Sequence, residues 1–124
     1  MAKRQRLFDN YYSLLAPRAE HSGYRLPFVP ADRAQGYHMF YVLLPDQTTR
    51  DRVLASMHER DIHSTFHYVP LHNSDGGRRF AARKTACPVT ESISGRLLRL
   101  PFYTDMTDAT ALRVVDAFFA AIDA

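Results

Sequence analysis

The sequence predicts one α/β domain of the α+β kind, a small mixed or antiparallel sheet backed by helices. Three observations predict it. Two stretches with strand character, 37–44 and 62–69, alternate with segments whose apolar residues recur at helical spacing. The 124 residues make one ordinary domain and leave no room for two. With 46% apolar and 23% charged residues, the chain has the balance of a folded globule that needs neither metal nor disulfide to build a core.

Lys3 to Ala16 puts Leu7, Phe8, Tyr11, Leu14 and Leu15 on one side of an amphipathic helix, and Pro17 is expected to stop it. So wide an apolar face on an opening helix points to a partner surface beyond it. Residues 17–36, rich in Pro, Gly and polar groups, read as a connection with one short strand near Tyr24–Phe28. Tyr37 to Leu44 is apolar on both pleat faces apart from His38, the pattern of an interior strand, and Pro45 ends it. Thr48, three residues before Asp51, gives a capping-box-like start to a helix that buries Val53, Leu54 and Met57 and runs to about Arg60.

Ile62 to Val69 alternates as a second strand, with Ile62, Ser64, Phe66 and Tyr68 facing one way and His63, Thr65, His67 and Val69 the other. Pro70 to Gly77 is a loop in which Asn73, Ser74, Asp75 and two glycines supply turn chemistry. Pro88, Val89 and Thr90 open a helix with Ile93, Leu97 and Leu98 inward, and Leu98–Phe102 reads as a short third strand. Thr107 caps the last helix with Asp108 in its first turn, over a stripe of Leu112, Val115, Phe118, Phe119 and Ile122.

Composition narrows the function classes. The net charge of +3 is spread over scattered arginines, with no basic stripe for nucleic acid. The lone Cys87 excludes an internal disulfide and suits a reducing compartment. No apolar run approaches the ~20 residues of a membrane span, and no signal-peptide pattern follows Arg6. The expected location is the cytoplasm.

Five of the six histidines fall between residues 38 and 72. His63 and His67 would share a strand face, yet ~13 Å of strand separates them, too far for one zinc ion with nitrogen bonds of ~2.0–2.1 Å. His67 and His72 converge only if the loop folds back, with His38, Cys87 or an acid as a third ligand. There is no HExxH, CxxC or glycine-rich phosphate loop. The most unusual segment is Phe66-His67-Tyr68-Val69-Pro70-Leu71-His72, which sets two imidazoles and a phenol at a strand end, where α/β proteins place ligand groups. Packing and turn shaping would explain the same residues. Arg78 and Arg79 have the chemistry to hold a phosphate or carboxylate, and also that of a solvated helix face.

Three segments in order, Tyr37-His38-Met39-Phe40-Tyr41-Val42-Leu43-Leu44-Pro45, His67 to His72, and Arg96-Leu97-Leu98-Arg99-Leu100-Pro101-Phe102-Tyr103, resemble the C-terminal part of the DegT/DnrJ/EryC1/StrS sugar aminotransferases. Within that family they are most similar to the transaminases that act on dTDP-4-keto-6-deoxyglucose. The resemblance runs from about Arg4 to Ala121. It implies a dimeric fold-type I enzyme of lipopolysaccharide and amino-sugar biosynthesis, which uses pyridoxal phosphate to move an amino group from glutamate to a nucleotide-linked keto sugar. Such enzymes hold the cofactor as a Schiff base on a lysine of a large domain. Here the lysines are Lys3 and Lys84, and neither lies in the family's lysine motif.

By resemblance, residues 1–17 are the end of an interdomain helix and 18–124 the small C-terminal domain, with the large cofactor-binding domain not represented. No catalytic or cofactor-binding residue is assigned, and the chain is expected to bind no cofactor and to transfer no amino group alone. His67, Tyr68 and His72, with His38 nearby on the adjacent strand, are expected to contact the dTDP-keto-sugar or the donor carboxylate. The expected partner is a large pyridoxal-phosphate-binding domain or a second copy. Two other readings fit the residues: a stand-alone module for nucleotide sugar or protein, and a small histidine-dependent metal enzyme.

Overall fold

A computed structural model describes residues 1–83 and 85–124; Lys84 lies outside them. In chain order the elements are α1 (Ala2–Ala19), β1 (Phe40–Leu43), α2 (Gln47–Glu59), β2 (Thr65–Phe66), a 3-10 turn (Leu71–Asn73), α3 (Asp75–Phe80), α4 (Pro88–Arg96), β3 (Leu97–Leu100) and α5 (Asp108–Ile122). The antiparallel sheet is ordered β1-β3-β2. The α+β architecture is the one expected.

Pairing explains which face is buried. Phe40 lies opposite Leu100 and Val42 opposite Leu98, and all four are buried. Tyr41 and Leu43, opposite Arg99 and Leu97, are only half-buried. The strand expected to be interior is therefore an edge strand, and β3 is central. On its outer side β1 meets a single bridge, in which Arg25 and Leu43 exchange amide bonds of 2.8 and 2.9 Å. That bridge is all that forms of the strand expected near Tyr24–Phe28.

Helix α1 spends its apolar face inside the domain, contrary to the expectation of a missing partner. Leu7, Phe8, Tyr11 and Leu15 are buried. The rings of Phe8 and Tyr11 lie 4.9 and 5.1 Å from that of Phe40, and the Tyr11 hydroxyl donates to the Pro101 carbonyl at 2.8 Å. Each such ring contributes roughly 1.5–3 kcal/mol by leaving water. Pro17 does not stop the helix. A proline near the C-terminus deletes one backbone bond, while Arg18 pairs with Asp123 at 2.5 Å and lies over the Phe119 ring. The chain turns away at Gly23, whose φ of +71° is the left-handed region glycine tolerates.

Asp46, not Thr48, caps α2: it adopts extended backbone and its carboxylate accepts from the Thr49 amide at 2.7 Å. The helix buries Val53, Met57 and Arg50, with Leu54 at the margin. Strand β2 is far shorter than the alternation implies. Thr65 and Phe66 pair with Arg99 and Leu98, but β3 emerges directly from α4, so the residues that would face Tyr68 and Val69 are helical. For the same reason Leu97 and Leu98 belong to β3 rather than to α4.

The expected 70–77 loop contains the 3-10 turn and the start of α3. Ser74 joins them, its hydroxyl oxygen accepting from Gly77 N at 2.9 Å while the hydroxyl donates to Leu71 O at 2.8 Å. Thr107 caps α5 as expected, accepting from Thr110 N at 3.1 Å. Leu112 is exposed, not part of the stripe, whereas Val115 and Phe118 are buried as expected and are joined by Ala111, Val114, Ala117 and Ala121. Among the described residues, no helix is long and apolar enough to cross a membrane.

Candidate functional site

Beyond Phe66 the chain has no strand left to pair with, and His67 to Pro70 stands as a ridge between two clefts. One, about 610 Å³, opens toward α2 and is lined by Gln47, Arg50, Leu54, Phe66, Asn73 and Glu91 besides the ridge. The other, about 620 Å³, lies toward α4 and is more apolar, with Leu71, Val89, Ile93 and Leu97 in its wall. Ser94 borders both.

His67 and Tyr68 are brought together, their rings edge to face at 5.0 Å. The His67 Nδ1 is buried and makes no hydrogen bond among the described residues, whereas Tyr68 is 77% exposed. His72 is placed differently. Its Nε2 lies 2.8 Å from Glu91 Oε1, tying the 3-10 turn to α4, and it lines neither ridge cleft but a neighbouring hollow with Arg78 and Arg83. The His72 hydrogen bond, helped by the Cys87 amide, holds the Glu91 carboxyl below its ordinary range. His38 is exposed at a bend before β1 and lines neither ridge cleft. It is not on a strand adjacent to β2, because β3 lies between.

Two further histidines make local contacts. His58 Nε2 meets the Ser64 carbonyl at 2.7 Å, and His63 lies 3.4 Å from Asp61. Among the described residues, no three His, Cys, Asp or Glu side chains gather as a metal site requires.

The sequence reading passed over Arg50. It is 6% exposed, its Nε lies 2.8 Å from an Asp51 oxygen, and its guanidinium carbon sits 5.4 Å from the centre of the Phe66 ring. A signal was present: positions 50, 53 and 57 share one helical face, and Val53 and Met57 are fully buried.

Among the described residues no lysine lines either ridge cleft, and Lys3 pairs with Asp105 at 2.9 Å on the surface.

Comparison with known proteins gives a consistent set of likenesses. The model of the DegT/DnrJ/EryC1/StrS aminotransferase family matches residues 1–119. The dTDP-3-amino-3,4,6-trideoxy-alpha-D-glucose transaminase of Micromonospora megalomicea is 27% identical over 119 residues, covering 94% of this chain and 31% of its own. The dTDP-4-dehydro-2,3,6-trideoxy-D-glucose 4-aminotransferase of Saccharopolyspora spinosa is 28% identical, covering 98% of this chain and 30% of its own. Among solved structures, S. venezuelae DesV in complex with a ketimine intermediate superposes with a TM-score of 0.84 at 29% identity, over 99% of this chain and 32% of its own. The chain thus spans less than a third of the length of these relatives.

Proposed function

The chain belongs to the DegT/DnrJ/EryC1/StrS aminotransferase family, and from that premise we propose that it is the small C-terminal domain of a sugar-nucleotide aminotransferase. In this reading residues 1–17 are the end of the interdomain helix and 18–124 the domain itself. The reaction moves an amino group from glutamate to a dTDP-linked keto-deoxysugar in the cytoplasm. Pyridoxal phosphate supplies the electron sink for that transfer and is held, in this reading, by a lysine-bearing large domain outside residues 1–124.

The observation that carries the proposal is the ridge. His67 and Tyr68 lie beyond the end of β2, one with a buried ring nitrogen that has no partner among the described residues and the other with an exposed phenol. Such groups suit orienting a substrate by hydrogen bonds, and Pro70 and the 3-10 turn stiffen the segment that presents them. His72 acts from behind: its bond to Glu91 anchors the far end of the ridge on α4. His38 contributes from the β1 side only if the substrate is long enough to reach it, as a nucleotide sugar is. Exposed apolar side chains support a covering partner, either the large domain or a second copy, because Leu71, Phe80 and Val89 all stand in solvent.

The test is a pyridoxal-phosphate titration of the isolated chain, following Schiff-base absorbance with and without glutamate and a dTDP-keto-sugar. The expected result is no Schiff base and no amino transfer, with activity appearing when a lysine-bearing large domain is supplied. Turnover by the chain alone would overturn the proposal.

A further inference from the structure

Arg50 and His67 share one cleft, and both carry nitrogens that are buried and unpartnered. Among the described residues the Arg50 Nε and Nη1 and the His67 Nδ1 make no hydrogen bond. A guanidinium taken out of water is strongly disfavoured unless acceptors replace the lost hydration. The Asp51 carboxylate, 2.8 Å from Nε, offsets part of that charge without hydrogen-bond alignment, and it is itself half in solvent. The Phe66 ring covers another side of the guanidinium and adds a modest cation–π attraction. What the arrangement lacks is an acceptor able to satisfy both side chains, and the cleft they line is about 610 Å³, room enough for one.

The positive charge of the guanidinium favours an anionic acceptor. Glu91, which also lines the cleft, is occupied by His72 and the Cys87 amide. Asp51 reaches only the Nε edge. The planar fork of an arginine matches two oxygens of one carboxylate or phosphate group, and His67 adds a third donor when Nδ1 carries the proton.

We propose that Arg50, together with His67, is the anion receptor of the cleft between α2 and the ridge, taking a carboxylate or phosphoryl group of a bound ligand. The identity of that ligand rests on the aminotransferase reading, in which the anionic end belongs to the sugar nucleotide or to the amino donor. The binding itself requires neither cofactor nor turnover.

The test is a nuclear magnetic resonance titration of the isotope-labelled chain, watching the Arg50 side-chain N–H and the His67 ring. Inorganic pyrophosphate and glutarate are added separately, with chloride at matched ionic strength as reference. Saturable shifts at both residues, with a dissociation constant on the order of 1 mM, are expected. Saturation by pyrophosphate alone assigns a phosphoryl group, and saturation by glutarate alone assigns a carboxylate. Arg50→Lys, which keeps the charge and loses the fork, should weaken binding about tenfold, and His67→Gln should weaken it in a chain with unchanged melting. Should Arg50→Lys fail to fold, the wild-type shifts and His67→Gln decide. No saturable shift with either anion, or full affinity in folded Arg50→Lys, overturns the proposal. Because no amino transfer is measured, a negative result leaves the aminotransferase reading intact, and an inactive enzyme leaves this one intact.

Discussion

His72, in the 3-10 turn after the ridge, meets Glu91, in the first turn of α4, at 2.8 Å across nineteen residues of chain. The contact gives α4 a tie that its cap does not, since the Cys87 side chain makes no capping bond. It fixes the far end of the ridge, whose near end is pinned by the β2–β3 pairing of Phe66 with Leu98.

That contact makes part of the stability acid-sensitive. The Glu91 carboxyl titrates below its ordinary value, chiefly because of the His72 hydrogen bond. A depressed carboxyl contributes stability above its unfolded pKa, and the contribution is lost as pH falls through the folded value. Wild type should therefore melt above Glu91→Gln near pH 6, and the two curves should converge below about pH 4. Thermal melts across that range check it, and a difference that persists at low pH would contradict the assignment.

At alkaline pH two buried phenols act in the opposite sense. Burial pushes Tyr24 up to about 12 and raises Tyr11 as well. The Tyr24 hydroxyl donates to the Leu15 carbonyl at 2.5 Å, a bond its phenolate could not make. A raised pKa supplies stability that is complete below the unfolded value and is lost as pH rises toward the folded one. The chain should accordingly weaken from about pH 10 upward. Tyr24→Phe, less stable at neutral pH by about 1–3 kcal/mol for the unpaired carbonyl, should show a shallower alkaline decline. Ultraviolet titration of the phenols together with melting temperatures measures both effects.

Much of this was legible in the residues, and the rest was lost for identifiable reasons. The Thr107 cap was visible because it is local chemistry, a hydroxyl three residues before an amide. The order of helices and strands was visible from periodicity. Strand position was not: the apolar run at 37–44 reads as interior, yet β1 is at an edge because β3 pairs with both neighbours. The length of β2 is set by where α4 ends, at Arg96, thirty residues beyond Phe66, and no local pattern carries that. Arg50 was hidden by its chemistry, since an arginine on a buried stripe reads as a polar interruption of it. His67 and Tyr68 stood out by type, but their separation from His38 depends on a strand inserted between them from later in the chain.

The α5 cap offers a direct energetic check. Thr107 accepts from Thr110 N and shares a hydroxyl contact of 2.8 Å with the Thr110 side chain. Thr107→Ala should cost about 1 kcal/mol, and Thr107→Gly a smaller amount relative to wild type. Denaturant unfolding would give the two differences. An unchanged midpoint in Thr107→Ala would mean that the first turn of α5 is held by its packing on α1 instead.

Gly76 and Gly77 sit side by side in α3 and should respond to the same substitution with opposite signs. A Cβ on Gly76 meets nothing within 4 Å, so Gly76→Ala gains helix propensity, up to about 1 kcal/mol, with no clash. A Cβ on Gly77 would fall 1.7 Å from the Leu71 carbonyl oxygen and 3.0 Å from the Ser74 hydroxyl. Those are the two groups that join the 3-10 turn to α3. Backbone must move to admit the methyl, and the gain in propensity is outweighed. Gly76→Ala should melt at or above wild type, and Gly77→Ala below it. Because the 3-10 turn also carries His72, Gly77→Ala should in addition loosen the His72–Glu91 contact and shrink the acid sensitivity described for Glu91→Gln. Melting of both variants near pH 6 and pH 4 reads stability and coupling together. A Gly77→Ala chain as stable as Gly76→Ala would mean that the 3-10 turn and α3 are not packed as closely as the Leu71 carbonyl position requires.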